Sequence, residues 1–254
     1  MGFYDLSKEE RQALVQQIDQ AIRHGFKNQQ IEPVNNYFAD DDTYIRKAGY
    51  LAVGKIHKAG QMETVSIVSF LELLLDNDSE KVRQTVINAA GEVGKRDFES
   101  VKHFFDQGLF DNHHSVRNAV IGSIKKMGEK NPEPILHWAK KYLKHPDKEV
   151  RREICHGIEL RGRTHPQDIL PLLEVLQHDP TARVRNTLIH VIGQIAYKKG
   201  CLPTVITALN SWKNKGLVEK ALDEIVDVHH RYKNFAVLSQ TEAIAYIGQN
   251  YDPK

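Results

Sequence analysis

Between residues 125 and 199 the chain gathers cationic side chains that its architecture does not require: Lys125 and Lys126, then Arg152, Arg161 and Arg163, then Lys198 and Lys199. Lys130, Lys140, Lys141, Lys144 and Lys148 fall in the same stretch. On a chain of net charge +2, such a concentration is the expected footprint of a groove for a nucleic-acid backbone, where each cation displaces a condensed counterion. The competing reading is a set of solvated lysines that point in several directions.

Other residue types offer less chemistry. Glu153 and Glu159 are carboxylates on one helix and the only candidates for a catalytic role, in a chain with 33 acids. His156 and His190 each stand five residues after an arginine, Arg151 and Arg185. In stacked repeats they fall side by side, one helix spacing apart, where they line a groove. A metal pair would need a third ligand and a closer approach, so neither metal nor cofactor is expected. His113-His114 and His229-His230 read as turn and surface residues. Cys155 and Cys201 lack CxxC spacing and read as two idle thiols in a reducing cytosol. No phosphate loop, dinucleotide fingerprint or nucleophile elbow occurs.

The elements that must carry these residues are set by a period. A branched aliphatic residue followed by arginine recurs at Arg46, Arg83, Arg117, Arg151 and Arg185, in steps of 37, 34, 34 and 34. A fixed period of this size marks a solenoid. Each unit reads as a first helix with leucine-type spacing (Ile67, Phe70, Leu71, Leu74, Leu75), a polar turn, and a second helix of about four turns opened by the Val-Arg pair. Val82, Val86, Ala89, Ala90 and Val93 form one apolar stripe on such a helix. Gly54, Gly91 and Gly193 follow their arginines by eight residues and suit close helix packing. The repeated arginines could bind phosphates, but an Asp–Arg ladder between turns is the stronger expectation. Ser7 and Glu10 make a capping box for an N-terminal helix that runs to about Gly25.

This combination of helix pairs, turn aspartates and Val-Arg openings resembles the HEAT-repeat family over residues 30–200. The stretch from His137 to Trp212 further resembles the HEAT-like DNA glycosylases of the DNA alkylation repair superfamily. The resemblance rests on Val150-Arg151-Arg152, on His156-Gly157 and Arg161-Gly162-Arg163, and on the next block from Asp179-Pro180 to Ala196. It implies DNA binding, and for the family base excision by a carboxylate that stabilises a cationic sugar. Here His156 stands where one branch has its acid and Gln194 stands near a second, while His190 and Asn118 occupy the other branch's positions. The architecture therefore matches better than the catalytic set.

The sequence thus predicts an all-α, right-handed α-solenoid of HEAT-like helix pairs. Residues 1–254 form one domain: a capping helix in 1–29, five repeats in 30–200 and capping helices in 201–254. The function expected is non-catalytic binding of duplex DNA on a concave face. A protein-binding scaffold and an active alkylpurine glycosylase are the alternatives. No apolar run approaches the roughly 20 residues of a membrane span, and the start lacks a signal-peptide or myristoylation pattern. A cytoplasmic monomer is the expectation.

Overall fold

A computed structural model describes residues 2–252, which fall into two compact units, 2–131 and 132–252. Among the described residues all regular structure is helical.

In the first unit α1 (Lys8–Asn28) begins at the expected capping box: Ser7 Oγ accepts from Glu10 N–H, and Glu10 accepts from Ser7 N–H at 2.8 Å. It extends three residues past Gly25. Three helix pairs follow: α2 (Ile31–Phe38) with α3 (Thr43–Lys58), α4 (Thr64–Leu75) with α5 (Glu80–Gly94), and α6 (Lys102–Gly108) with α7 (His114–Lys130). Helices α1, α3, α5 and α7 pack in sequence as one row. Their apolar stripes explain the row: Val82, Val86, Ala89, Ala90 and Val93 of α5 are all fully buried.

The second unit holds α8 (Pro132–Tyr142), α9 (Lys148–Gly157), α10 (Glu159–Gly162), α11 (Pro166–Leu173), α12 (Ala182–Ala196), α13 (Cys201–Ser211), α14 (Lys215–Arg231) and α15 (Gln240–Asn250). Here α9, α12 and α14 form the row, and α11 packs on α13. The sequence expectation of one long second helix after Arg151 fails at Gly157–Ile158, where α9 ends and α10 restarts. Glycine is a poor helix former, and the interruption re-aims the next turn. The Cys201–Arg231 pair repeats the architecture, with α14 lying on α12 as α12 lies on α9.

The repeated arginines hold turns together. Arg83 donates to the carbonyls of Asn77 and Asp78 in its own turn, and to the Asp111 carboxylate of the next at 2.8 and 3.1 Å. Arg151 does the same with His145, Pro146 and the Asp179 carboxylate. Arg46 and Arg185 bond carbonyls of their own turns. Arg117 also reaches the carbonyls of Asp111 and Asn112. Guanidinium forks satisfy turn carbonyls that no helix can pair, which is why every repeat keeps one.

The glycines do what their spacing suggests. A Cβ on Gly91 would lie 2.6 Å from Ser123 Oγ of α7, and one on Gly193 would lie 2.6 Å from Glu224 Cγ of α14. Ser123 is buried, so it cannot swing away. Gly91→Ala is expected to destabilise the first unit by about 1–3 kcal/mol through overpacking. Urea unfolding measures this directly, and an unchanged midpoint would show that α5 and α7 separate freely.

Candidate nucleic-acid interface

The second unit takes up most of the cations the sequence singles out. Arg152 donates to Glu149 at 2.8 Å and lies 3.5 Å from Glu153. Arg161 donates to Asp168 at 2.8 and 2.7 Å. Arg163 pairs with Glu159 and reaches Gln194 Oε1 at 3.0 Å. Each guanidinium is thus tied to a neighbouring acid. Lys198 lies over the Tyr197 ring at 4.4 Å, and Lys199 is exposed beside Gly200.

The two candidate acids are interior. Glu153 is 3 % exposed and Glu159 is 1 % exposed. One Glu159 oxygen faces Arg163 and the other lies 2.7 Å from His156 Nδ1. The α9–α10 break places Glu159 in this position, three residues after His156 and four before Arg163. Both oxygens of Glu159 are thus engaged by neighbouring side chains in the interior of the unit.

His156 and His190 do lie side by side, ring centres 6.2 Å apart, and His190 Nδ1 is 3.3 Å from Glu224. No group of three or more His, Cys, Asp or Glu that could hold a metal occurs among the described residues. His229 departs from its surface reading: it lies on α14, 1 % exposed, with Nδ1 2.7 Å from the Ile225 carbonyl oxygen. His113 does sit in a turn, as the N-cap of α7. Both cysteines are buried and free, and burial pushes the Cys155 thiol far up, away from reactivity.

The first unit carries cations of a different kind. Lys55, Lys58, Lys95, Arg96 and Lys130 line one cleft of about 540 Å³ with Leu51, Gly54 and a single acid, Glu92. Glu92 is bonded to Lys95, and Lys55 lies 3.4 Å from Asp19. Lys58, Arg96 and Lys130 are exposed and form no ion pair among the described residues. Lys126, nearby on α7, lies over the Tyr50 ring at 5.3 Å. Its ammonium pKa is lowered, first by loss of solvent around it, with Lys95 and Lys47 adding to the effect and Glu92 opposing it. Cations at the C-terminal ends of α3, α5 and α7 also complement the helix dipoles, which helps the fold tolerate their crowding.

Reading charge along the sequence missed most of this cluster. Reading it by repeat position finds it. Lys55 and Lys126 each follow their repeat's arginine by nine residues, Lys58 and Lys95 by twelve, and Arg96 and Lys130 by thirteen. Residues at equal positions on stacked helices share a face, however distant in sequence.

A second cleft, about 360 Å³, lies between α3 and α5 and is lined by Tyr44, Lys47, Tyr50, Gln84 and Asn88, with Thr43, Arg46 and Thr85. No helix in the described residues is long and apolar enough to cross a membrane.

No protein-family model matches this sequence, and no curated protein matches it. Solved structures do. AlkD2 from Streptococcus mutans superposes with a TM-score of 0.54 at 16% identity, over 80% of this chain and 97% of that one. The MAST/Orbit N-terminal domain gives 0.52 at 17% identity, over 77% and 96%. A domain of crescerin, whose TOG domain array regulates microtubules in the primary cilium, gives 0.51 at 18% identity, over 82% and 92%. Likeness at this level of identity speaks of architecture, and it agrees with the helix pairs: the chain is an all-α solenoid of HEAT-like repeats.

Proposed function

We propose that this protein is a non-catalytic DNA-binding solenoid that holds the phosphate backbone on its first unit. The observation that carries this reading is the cleft in which five cations surround one acid. So dense a field of one sign raises the local concentration of a polyanion and is relieved by binding one. Lys126, over the Tyr50 ring and close enough to Lys95 and Glu92 to feel their charges, adds to that field. The likeness to AlkD2 over 80% of this chain supports DNA as the partner, as does the resemblance of residues 137–212, in the second unit, to the alkylation-repair superfamily. The placement on the first unit rests on the cleft alone. The enclosure of Glu153 and Glu159 supports binding without base excision.

In this reading Arg152, Arg161 and Arg163 stabilise the second unit instead of touching phosphates. The test is binding of a fluorescein-labelled duplex across a salt series. The triple variant Lys58→Ala, Arg96→Ala, Lys130→Ala removes exposed, unpaired cations and leaves the fold intact. It is expected to flatten the plot of log affinity against log salt by about 0.9 per lost contact. Wild-type protein that ignores both duplex and single-stranded DNA even at low salt would overturn the reading.

A protein partner is the second reading. Phe235, Val237 and Ile244 are 70 %, 56 % and 51 % exposed around the turn between α14 and α15, and crescerin's TOG array works on microtubules. Absence of salt-dependent DNA binding would bring it forward.

A further inference from the structure

The cleft between α3 and α5 differs in kind from its cationic neighbour. Two tyrosines, Tyr44 and Tyr50, share its wall with two amides, Gln84 and Asn88, and one lysine, Lys47. Aromatic faces beside cations are the parts from which single-stranded nucleic-acid sites are built, because every base has a π-face to stack and every nucleotide a phosphate to pair. In a duplex those faces are stacked on one another and closed to a side chain.

Tyr44 is fixed before any ligand arrives. Its ring is stacked on Phe3 with centres 5.9 Å apart, and Tyr4 meets it edge-on at 4.5 Å. Asp42 accepts from the Phe3 backbone N–H at 2.6 Å and from the Tyr44 N–H at 2.7 Å, which ties the N-terminal turn to the start of α3. Yet Tyr44 remains 44 % exposed. A large aromatic held rigid and left in water loses little entropy when a flat ligand stacks on it. Tyr50 lies six residues further along α3, half-buried, with Lys126 above its ring.

The amides are placed for edge recognition. Gln84 is held at both ends: Arg46 donates to its Oε1 at 3.4 Å, and its Nε2 donates to the Ser115 carbonyl at 3.3 Å. Asn88 donates to the Gln84 carbonyl at 2.9 Å, which leaves its own Oδ1 as an acceptor for an exocyclic amine. Lys47 is exposed and forms no ion pair among the described residues. Along α3, Lys55 and Lys58 lead from this cleft into the cationic one.

We propose that the α3–α5 cleft seats an unstacked base of a single-stranded polynucleotide, with Tyr44 as the stacking face, Asn88 at the base edge and Lys47 at the adjoining phosphate. This rests on the reading of the first unit as a phosphate-binding face and narrows its partner from duplex to single-stranded or locally melted DNA. The cationic cleft takes the backbone and the aromatic cleft takes the base.

The experiment compares three fluorescein-labelled probes: a single-stranded oligodeoxynucleotide, its duplex, and the same single strand carrying abasic sites. Each is titrated into wild-type protein, Tyr44→Ala, Tyr44→Phe and the Lys58/Arg96/Lys130 triple variant. The intact single strand is expected to bind at least tenfold tighter than the duplex or the abasic strand. Tyr44→Ala should erase roughly tenfold of that affinity, and Tyr44→Phe should restore it, since the ring and not the hydroxyl does the stacking. Equal binding of all three probes, unchanged in Tyr44→Ala and weakened in the triple variant, would overturn the base cleft and leave the backbone reading standing. No salt-dependent binding of any probe would overturn both. Circular dichroism of each variant separates lost contacts from lost fold.

Discussion

Replacing Arg151 by alanine is expected to cost the second unit about 3–5 kcal/mol, because the change strands a buried carboxylate. Arg151 is 9 % exposed and Asp179 is 6 % exposed. The guanidinium serves that carboxylate and two turn carbonyls at once, so a single substitution orphans acceptors in two repeats. Double replacement of Arg151 and Asp179 by apolar residues of similar size should recover much of the loss, as it removes the stranded charge along with its partner. Denaturant unfolding of the single and double variants is the measurement. A single variant within 1 kcal/mol of wild type, as expected for ordinary surface sites, would show that the pair contributes nothing (about ±0.5 kcal/mol is usual there).

The same pair gives stability a pH dependence of known sign. Burial alone would raise the Asp179 pKa, but hydrogen bonds from Arg151 and the Thr181 N–H, and the Arg151 charge, hold it below the ordinary carboxylate range. A carboxyl depressed in the folded state stabilises fully above its unfolded value, about 3.9. That contribution drains away as the pH falls through the lowered folded value. Asp111, held down in the same manner by Arg83, acts alike in the first unit. Wild-type protein should therefore weaken on acidification below about pH 4, and Asp179→Asn should flatten that decline.

Phe70→Ala is the second large effect, about 3–5 kcal/mol, and it falls on the first unit. Phe70 is fully buried on α4, and its ring centre is 4.3 Å from that of Phe26 on α1. Removing the ring leaves a void between α4 and the N-terminal helix α1, and the aromatic contact goes with it. The consequence reaches function, because α1 packs on α3, and α3 carries Tyr44, Lys47, Lys55 and Lys58. Thermal unfolding followed alongside DNA binding should show both decline together. Lost stability with unaltered binding at low temperature would show that α3 keeps its place without α1.

The fold was readable because its signals are local and repeated. The Val-Arg pairs, the Ser7–Glu10 box and the glycines that follow three of the five arginines each lie within one helix or one turn, where residue spacing maps onto geometry. The candidate site was less readable because its partners come from two scales at once. Glu149, Glu159 and Asp168 stand within seven residues of the arginines they bind, while Gln194 and Glu224 reach Arg163 and His190 from about a repeat away. Nothing in the order of residues says that Arg161 is occupied by Asp168, that Glu159 and Gln194 share Arg163, or that Glu224 sits against His190. A run of cations in sequence thus proved to be mostly ion pairs. The cleft with the denser field draws its five cations from three helices, spread from Lys55 to Lys130. The break at Gly157 escaped the helical pattern for a related reason: the apolar positions on either side, Ile154 and Ile158, still keep helical spacing.

The arginine that clamps its own turn and the next one makes every such turn a shared possession. Arg83 leaves the Asp111 turn dependent on α5, and Arg151 leaves the Asp179 turn dependent on α9. Order in such a chain is contagious, passed from each repeat to its neighbour, as in a one-dimensional row of coupled spins. Damage to one turn spreads by one repeat and fades, so a row of this kind can lengthen or shorten by whole repeats over generations while each surviving junction still closes.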